Sequence, residues 1–261
     1  MFEELNLSQK FYYHNLVSII MLLLWILIGF KGYQLRNHKN ILFTSNWIII
    51  ICLIQESLDY INRLYLDLNY TFSIQRDLPF LQFCQISFYF SLICIVLSKK
   101  IKFEKTKFTQ FLFDCAFLLG FSGALQGIIT PDFDYINNMI GVICIQLQHS
   151  LIILNLIWLI IMYNYTLTFM GVVYTYLFIN IIATFALLLN KLLGTNSDGI
   201  SANYFYVNEL PKVDNYFLNI IAHHPSPDYI LYIQPVFILY FIVLYLFFMA
   251  INLLKIEKRE K

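Results

Sequence analysis

The chain has 261 residues, of which 59% are hydrophobic and 13% charged, and its formal net charge is +1. A water-soluble fold has nowhere to hide that much apolar surface, and near-neutrality leaves no electrostatic footprint for nucleic acid. The composition places the protein in a membrane. Its wealth of Ile, Asn, Lys, Phe and Tyr reads as the codon bias of a low-GC genome, so single aromatic residues carry little functional weight.

Seven apolar stretches follow one another: His14 to Phe30, Ile41 to Leu64, Leu78 to Leu97, Phe108 to Thr130, Met139 to Met162, Leu167 to Leu189 and Tyr229 to Leu253. Each is close to the roughly 20 residues that a helix needs to cross hydrocarbon. The first lacks a basic n-region and a small-residue cleavage site, so it reads as a retained helix. Lys31, Arg36 and Lys39 follow the first span, Lys99, Lys100, Lys102, Lys105 and Lys107 follow the third, and Lys255, Lys258, Arg259 and Lys261 follow the seventh. With seven crossings these twelve of the 17 basic residues share one side, and only Lys10, Arg63, Arg76, Lys191 and Lys212 fall on the other. The positive-inside rule then puts the N-terminus outside and the C-terminus in the cytoplasm. The expected fold is all-α, one seven-helix transmembrane domain over 1–261 in the cell membrane. The segment Asn190 to Asp228 holds Gly194, Gly199, Pro211, Pro225 and Pro227, yet Ser201 to Leu210 is aromatic enough to pack, making it a candidate lid over the outer mouth.

Cys52, Cys84, Cys94, Cys115 and Cys144 all fall inside these spans, without CxxC or His spacing of the metal-site type, so neither a metal, a cofactor nor a disulfide framework is expected. No internal repeat is visible, and an odd number of spans without paired broken helices speaks against inverted-repeat transporters.

Ionisable and amide groups at membrane depth are costly and by default face a cavity or a partner. In the second span Gln55, Glu56, Asp59, Asn62 and Arg63 recur at three- and four-residue steps, which gives its outer half one polar face. Asp59 and Arg63 have an even alternative as an ion pair where the helix emerges, but Glu56 would lie about 12 Å below the outer end. Cys84 sits between Gln82 and Gln85, some six residues into the expected third span. A membrane cysteine is usually a small packing residue, but this one has the most polar setting of the five. Gln146 and His149 share a face of the fifth span, His149 roughly 16 Å from its outer end. A lone buried histidine is more often a packing residue than a catalyst. With Gln126 and His14, these groups gather in the outer half of the bundle.

A thiol in apolar surroundings is a poor nucleophile because low dielectric disfavours the thiolate, so chemistry at Cys84 requires a base such as His149, with Glu56 as a candidate to orient the imidazole. Substrates that reach such a depth are lipids, and the reaction class is acyl transfer or lipid ester hydrolysis.

The run Leu78-Pro79-Phe80-Leu81-Gln82-Phe83-Cys84 and the stretch Ala124-Leu125-Gln126-Gly127-Ile128-Ile129-Thr130-Pro131-Asp132 resemble the LPxHLC and GALQALLTPD segments of the YwaF-type integral membrane proteins. The likeness continues with His149, with Asn203-Tyr204-Phe205-Tyr206 before Pro211, and with His223-His224-Pro225-Ser226-Pro227-Asp228-Tyr229, in the right order over most of the chain. Gln82 stands where that family often has His. The resemblance implies a relationship to a eukaryotic transmembrane acyltransferase that moves acyl chains onto lyso-ether phospholipids, with a Cys and a His implicated; here they map to Cys84 and His149.

The sequence thus yields Cys84, His149 and Glu56 as candidate catalytic residues, and His14, Gln82, Gln85, Gln126, Gln146, Asn203 and Tyr204 as candidate substrate contacts. The expected partners are a phospholipid substrate and anionic lipids at the basic face. Two other readings stay open: a non-enzymatic binder or carrier of a small polar solute or lipid headgroup, and a scaffold whose polar residues are interhelical glue.

Overall fold

The computed structural model describes residues 4–35, 37–100, 104–210, 219, 221 and 223–257. Arg36, Lys102, Pro211, Lys212, Lys258, Arg259 and Lys261, used above in the charge count or the motif comparison, lie outside the described residues.

Seven helices are long and apolar enough to cross a membrane: α1 (Leu7–Lys31), α2 (His38–Leu66), α3 (Phe83–Lys100), α4 (Lys107–Ile129), α5 (Met139–Met162), α6 (Phe169–Leu193) and α7, whose apolar part is Tyr229–Ile251. Most start where a side chain can satisfy the first orphan N–H groups. Asn6 and Gln9 form a capping box on α1, Thr106 and Thr109 one on α4, and Asn37, Asn138 and Thr168 cap α2, α5 and α6. Gly194 ends α6 with φ +57°, where its missing Cβ removes the steric penalty. Two helices widen into π-turns, Asn62–Leu66 at the end of α2 and Gly120–Ala124 within α4.

The third span departs from the sequence expectation. Leu78 to Gln82 is not helical; the chain turns there, with φ +66° at Phe80, and the helix begins at Phe83. Pro79 and the left-handed Phe80 are incompatible with continuing the helix upstream. Cys84 is therefore the second residue of α3 rather than a residue six positions in.

α5 is the central helix: 67% of its most apolar stretch is buried, against 6% for α7. It packs on α1, α2, α3 and α4, while α4 also packs on α3 and α6, and α7 leans chiefly on α6. Trp158, Phe113, Phe88 and Ile95 are fully buried at this core, whereas Leu22, Leu23, Ile181, Leu188 and Leu246 point outward, as suits side chains facing hydrocarbon. Buried hydroxyls and amides stitch the helices together: Trp158 Nε1 donates to Ser45 Oγ at 2.9 Å, Asn155 Nδ2 to Ser91 Oγ at 3.1 Å, and Gln55 Nε2 to the Cys144 carbonyl at 3.2 Å.

With seven crossings the N-terminal face carries the connections 67–82, 130–138 and 194–228. An ion cluster ties that face together: Arg63 bridges Asp59 at 2.7 Å and Asp77 at 3.2 Å, while Arg76 stacks on Tyr70 and Tyr135. Asp59 and Arg63 are thus the ion pair of the plainer sequence reading.

Candidate functional site

Four of the five cysteines are packing residues. Cys52, Cys94, Cys115 and Cys144 are 0–1% exposed, and the first three lie against Asn155, the Thr109 carbonyl and Thr175. Cys84 alone is only partly buried.

α4 presents glycines beside Cys84. A Cβ added at Gly123 would stand 2.8 Å from Cys84 Sγ, and one at Gly127 would stand 2.5 Å from Cε1 of His149. The thiol and the imidazole therefore occupy the same groove, over glycines one helical turn apart. Glycine Cβ positions four residues apart are about 6 Å from one another, so Sγ and the imidazole are no farther apart than roughly 12 Å. His149 is half-buried. No hydrogen bond joins the two side chains, and neither has another described hydrogen-bonding side chain as partner.

The π-turn supports this groove. It frees the Phe121 carbonyl, which accepts a hydrogen bond from the Tyr240 hydroxyl of α7 at 2.8 Å. Phe237 of α7 and Phe205 of the 194–228 connection then meet the edge of Phe83, at ring separations of 6.1 and 5.0 Å.

Glu56 does not serve His149. Its carboxylate accepts the Tyr89 hydroxyl on one oxygen and Gln148 Nε2, at 2.8 Å, on the other. Gln148 and His149 are consecutive on α5 and so project in different directions, which a grouping by depth alone does not resolve. Gln146 also has a structural place: fully buried, it donates to Ser18 Oγ at 2.6 Å and joins α5 to α1. His14 is buried with Nε2 against the Ile128 carbonyl at 3.0 Å and its ring edge-on to Phe133; it is close enough to His149 to interact electrostatically. Its Nδ1 and Gln146 Oε1 are buried without a hydrogen-bond partner.

Gln82 precedes α3, its carbonyl taking the Ile86 N–H at 3.0 Å and its side chain half-buried; Gln85 is also half-buried, with Oε1 unpartnered. Gln126 lies on the half-buried stub of α4 between the two glycines, and its carbonyl accepts Thr130 N at 2.7 Å.

The remaining two candidates are built into the cover. Asn203 Oδ1 accepts the N–H groups of Asn208 and Glu209 at 3.1 and 3.0 Å, so its side chain closes its own turn. Tyr204 is fully buried; its hydroxyl donates to the Ile74 carbonyl at 2.6 Å and accepts Leu78 N–H at 2.9 Å. Burial pushes its phenol up to about 12, so it stays protonated across the neutral range. In this structure the polar atoms of both residues hold the chain above α3.

Tyr206, two residues on, was not singled out by the sequence, where it is one Tyr among 19. It is exposed, and the Tyr229 hydroxyl donates to its carbonyl. The Gly120, Gly123 and Gly127 spacing was the legible sign of a close helix approach, visible only once α4 is known to be a helix.

Among the described residues no group of three or more His, Cys, Asp or Glu is placed to hold a metal ion. No curated protein matches this chain, and no solved structure does. The profile of the TMEM164 family matches residues 7–245, which covers every one of the seven helices at least in part; the chain belongs to the TMEM164 family.

Proposed function

We propose that the protein is a membrane-embedded lipid acyltransferase or lipid ester hydrolase, with Cys84 as nucleophile and His149 as its base. The observation that supports this reading is the pair of glycine approaches: the one cysteine that is not fully buried and the one histidine of the central helix lie over Gly123 and Gly127, one turn apart on α4. The resemblance to YwaF-type proteins, and through them to a transmembrane phospholipid acyltransferase, supports the same pair. The proposed topology puts the N-terminal face, and with it the groove, on the outer side.

Base activation requires thiol and imidazole to close on one another by side-chain rotation or through a water, since catalytic hydrogen bonds are often long until substrate is bound. Glu56 has no part in that step and serves the α2–α3–α5 contact. The test is labelling of the purified protein with an activity-based thiol probe. Wild type should label at Cys84, Cys84→Ser should not, and His149→Ala should label at least tenfold more slowly. Equal labelling of wild type and His149→Ala would contradict base activation.

The absence of a bond between Cys84 and His149 favours a second reading, in which the groove binds a lipid headgroup or small polar solute without chemistry. A carrier should survive Cys84→Ser largely intact in a transport or complementation assay; an enzyme should not.

A further inference from the structure

α1 packs on α5, and its buried residues, His14, Met21 and Ile28, recur every seven positions along it. Such a row is the seam of two helices wound about each other, where apolar side chains are the rule. A histidine in the row calls for a partner. His14 is 3% exposed, and its Nε2 lies 3.0 Å from the Ile128 carbonyl. A carbonyl can only accept, so Nε2 carries the ring proton, and Nδ1 is left as a buried acceptor without a partner among the described residues. Ile128 belongs to the last turn of α4, where carbonyls have no amide ahead of them in the helix to bond. His14 satisfies this one from another helix.

The residue before Ile128 is Gly127, and Cε1, Nδ1 and Nε2 of His149 stand 2.5, 2.8 and 3.0 Å from the place a Cβ would take there. His149 is one turn along α5 from Gln146, whose Nε2 donates to Ser18 Oγ at 2.6 Å. Ser18 in turn donates to the carbonyl of His14 at 2.8 Å. These contacts close a circuit through three helices: His149 to Gly127 and Ile128 on α4, Ile128 to His14 and Ser18 on α1, and Ser18 to Gln146 back on α5. Phe133 of the 130–138 connection meets the His14 ring edge-on, with centroids 5.7 Å apart. We propose that His14 is a positioning residue for His149. By holding the Ile128 carbonyl it fixes the Gly127 surface against which the imidazole rests, and so the reach of that imidazole toward Cys84. The inference rests on the reading of His149 as the base for Cys84. His14 acts through α4 and takes no proton in the reaction, a role different from the substrate contact expected of it from the sequence.

Two substitutions separate the hydrogen bond from the space the ring fills. His14→Gln puts an amide N–H at about the reach of Nε2, whereas His14→Met fills a similar volume without a donor. Each is made in the wild-type protein and in His149→Ala, and labelling of Cys84 by the activity-based thiol probe is timed alongside the unfolding temperature. His14→Met should slow labelling roughly tenfold, as a small misplacement of a catalytic group does, and His14→Gln should stay within about threefold of wild type. Neither should change the rate further once His149 is alanine. Labelling of His14→Met at the wild-type rate would overturn the proposal. So would an equal slowing by His14→Met in the His149→Ala background, since the effect would then not run through the imidazole. A folded His14→Gln as slow as His14→Met would also overturn it, because the hydrogen bond would not be what matters. If His149→Ala alone labels as fast as wild type, the base reading itself fails and takes the role of His14 with it.

Discussion

A methyl group added at four different glycines meets four different surroundings. At Gly29 nothing lies within 4 Å, so Gly29→Ala should be neutral or stabilising by up to about 1 kcal/mol through helix propensity. At Gly171 the new carbon would lie 2.0 Å from Oδ2 of Asp114, a buried carboxylate already held by Thr168 and Gln110. Gly171→Ala should cost about 1–3 kcal/mol, the usual cost of overpacking. Gly123→Ala and Gly127→Ala fall between, because the sulfur and the imidazole they strike end movable side chains. We expect these two to lower Cys84 reactivity more than stability, with thiol-probe labelling at least tenfold slower and the unfolding temperature in detergent little changed. Labelling at the wild-type rate in Gly123→Ala would show that the thiol does not depend on this groove.

Individual elements show where sequence reasoning reached and where it stopped. Helix positions were legible because Asn, Thr and Gly mark ends and apolar runs of membrane length leave little choice; α5 was expected over Met139 to Met162 and lies there. The start of α3 lies later than expected because Leu78 to Gln82 is as apolar as a helix; Pro79 and the left-handed Phe80 break it, and bonds from Leu78 N–H to Tyr204 and from Phe205 N–H to the Leu81 carbonyl hold the turn. The same blindness affected Tyr204, whose hydroxyl ties two backbone groups 126 and 130 residues away in sequence. Tyr204→Phe should cost about 1 kcal/mol by removing the hydroxyl that bonds a part-buried N–H and carbonyl. The pH dependence has a definite sign. The folded-state value, about 12, lies above the ordinary phenol value of 10.0, so this stabilisation is complete below pH 10 and lost as pH rises through 12. Unfolding followed from pH 8 to pH 12 should therefore show a smaller alkaline decline in Tyr204→Phe than in wild type.

At the scale of the whole molecule, hydropathy alone was enough for seven helices, because in hydrocarbon every backbone group must be satisfied within its own segment. The direction of insertion rests on charge asymmetry. It predicts that, in a Cys84→Ser background, a membrane-impermeant maleimide applied to intact cells labels Asp198→Cys, in the connection after α6, and leaves Glu104→Cys, in the basic loop before α4, unlabelled until the cells are opened. Replacing Lys99, Lys105 and Lys107 should disturb that insertion and anionic-lipid preference, while correctly inserted protein keeps its turnover. Depth was legible for α5 but not for Cys84, which lies at the start of α3, and azimuth was legible for neither. Glu56 and His149 agree in depth, but Glu56 reaches Gln148, the adjacent residue on α5.

The widened turn Gly120–Ala124 fixes the angular phase of everything that follows it in α4. An α-helix advances about 100° per residue, so excising a single residue from that turn would leave the stub Leu125–Ile129 intact as a helix yet rotated by more than a quarter of a circle. Gly127 would swing off the imidazole, and a bulkier neighbour would be driven into the space the ring occupies. One surplus amino acid in a greasy rod thus decides which side chains can share the groove.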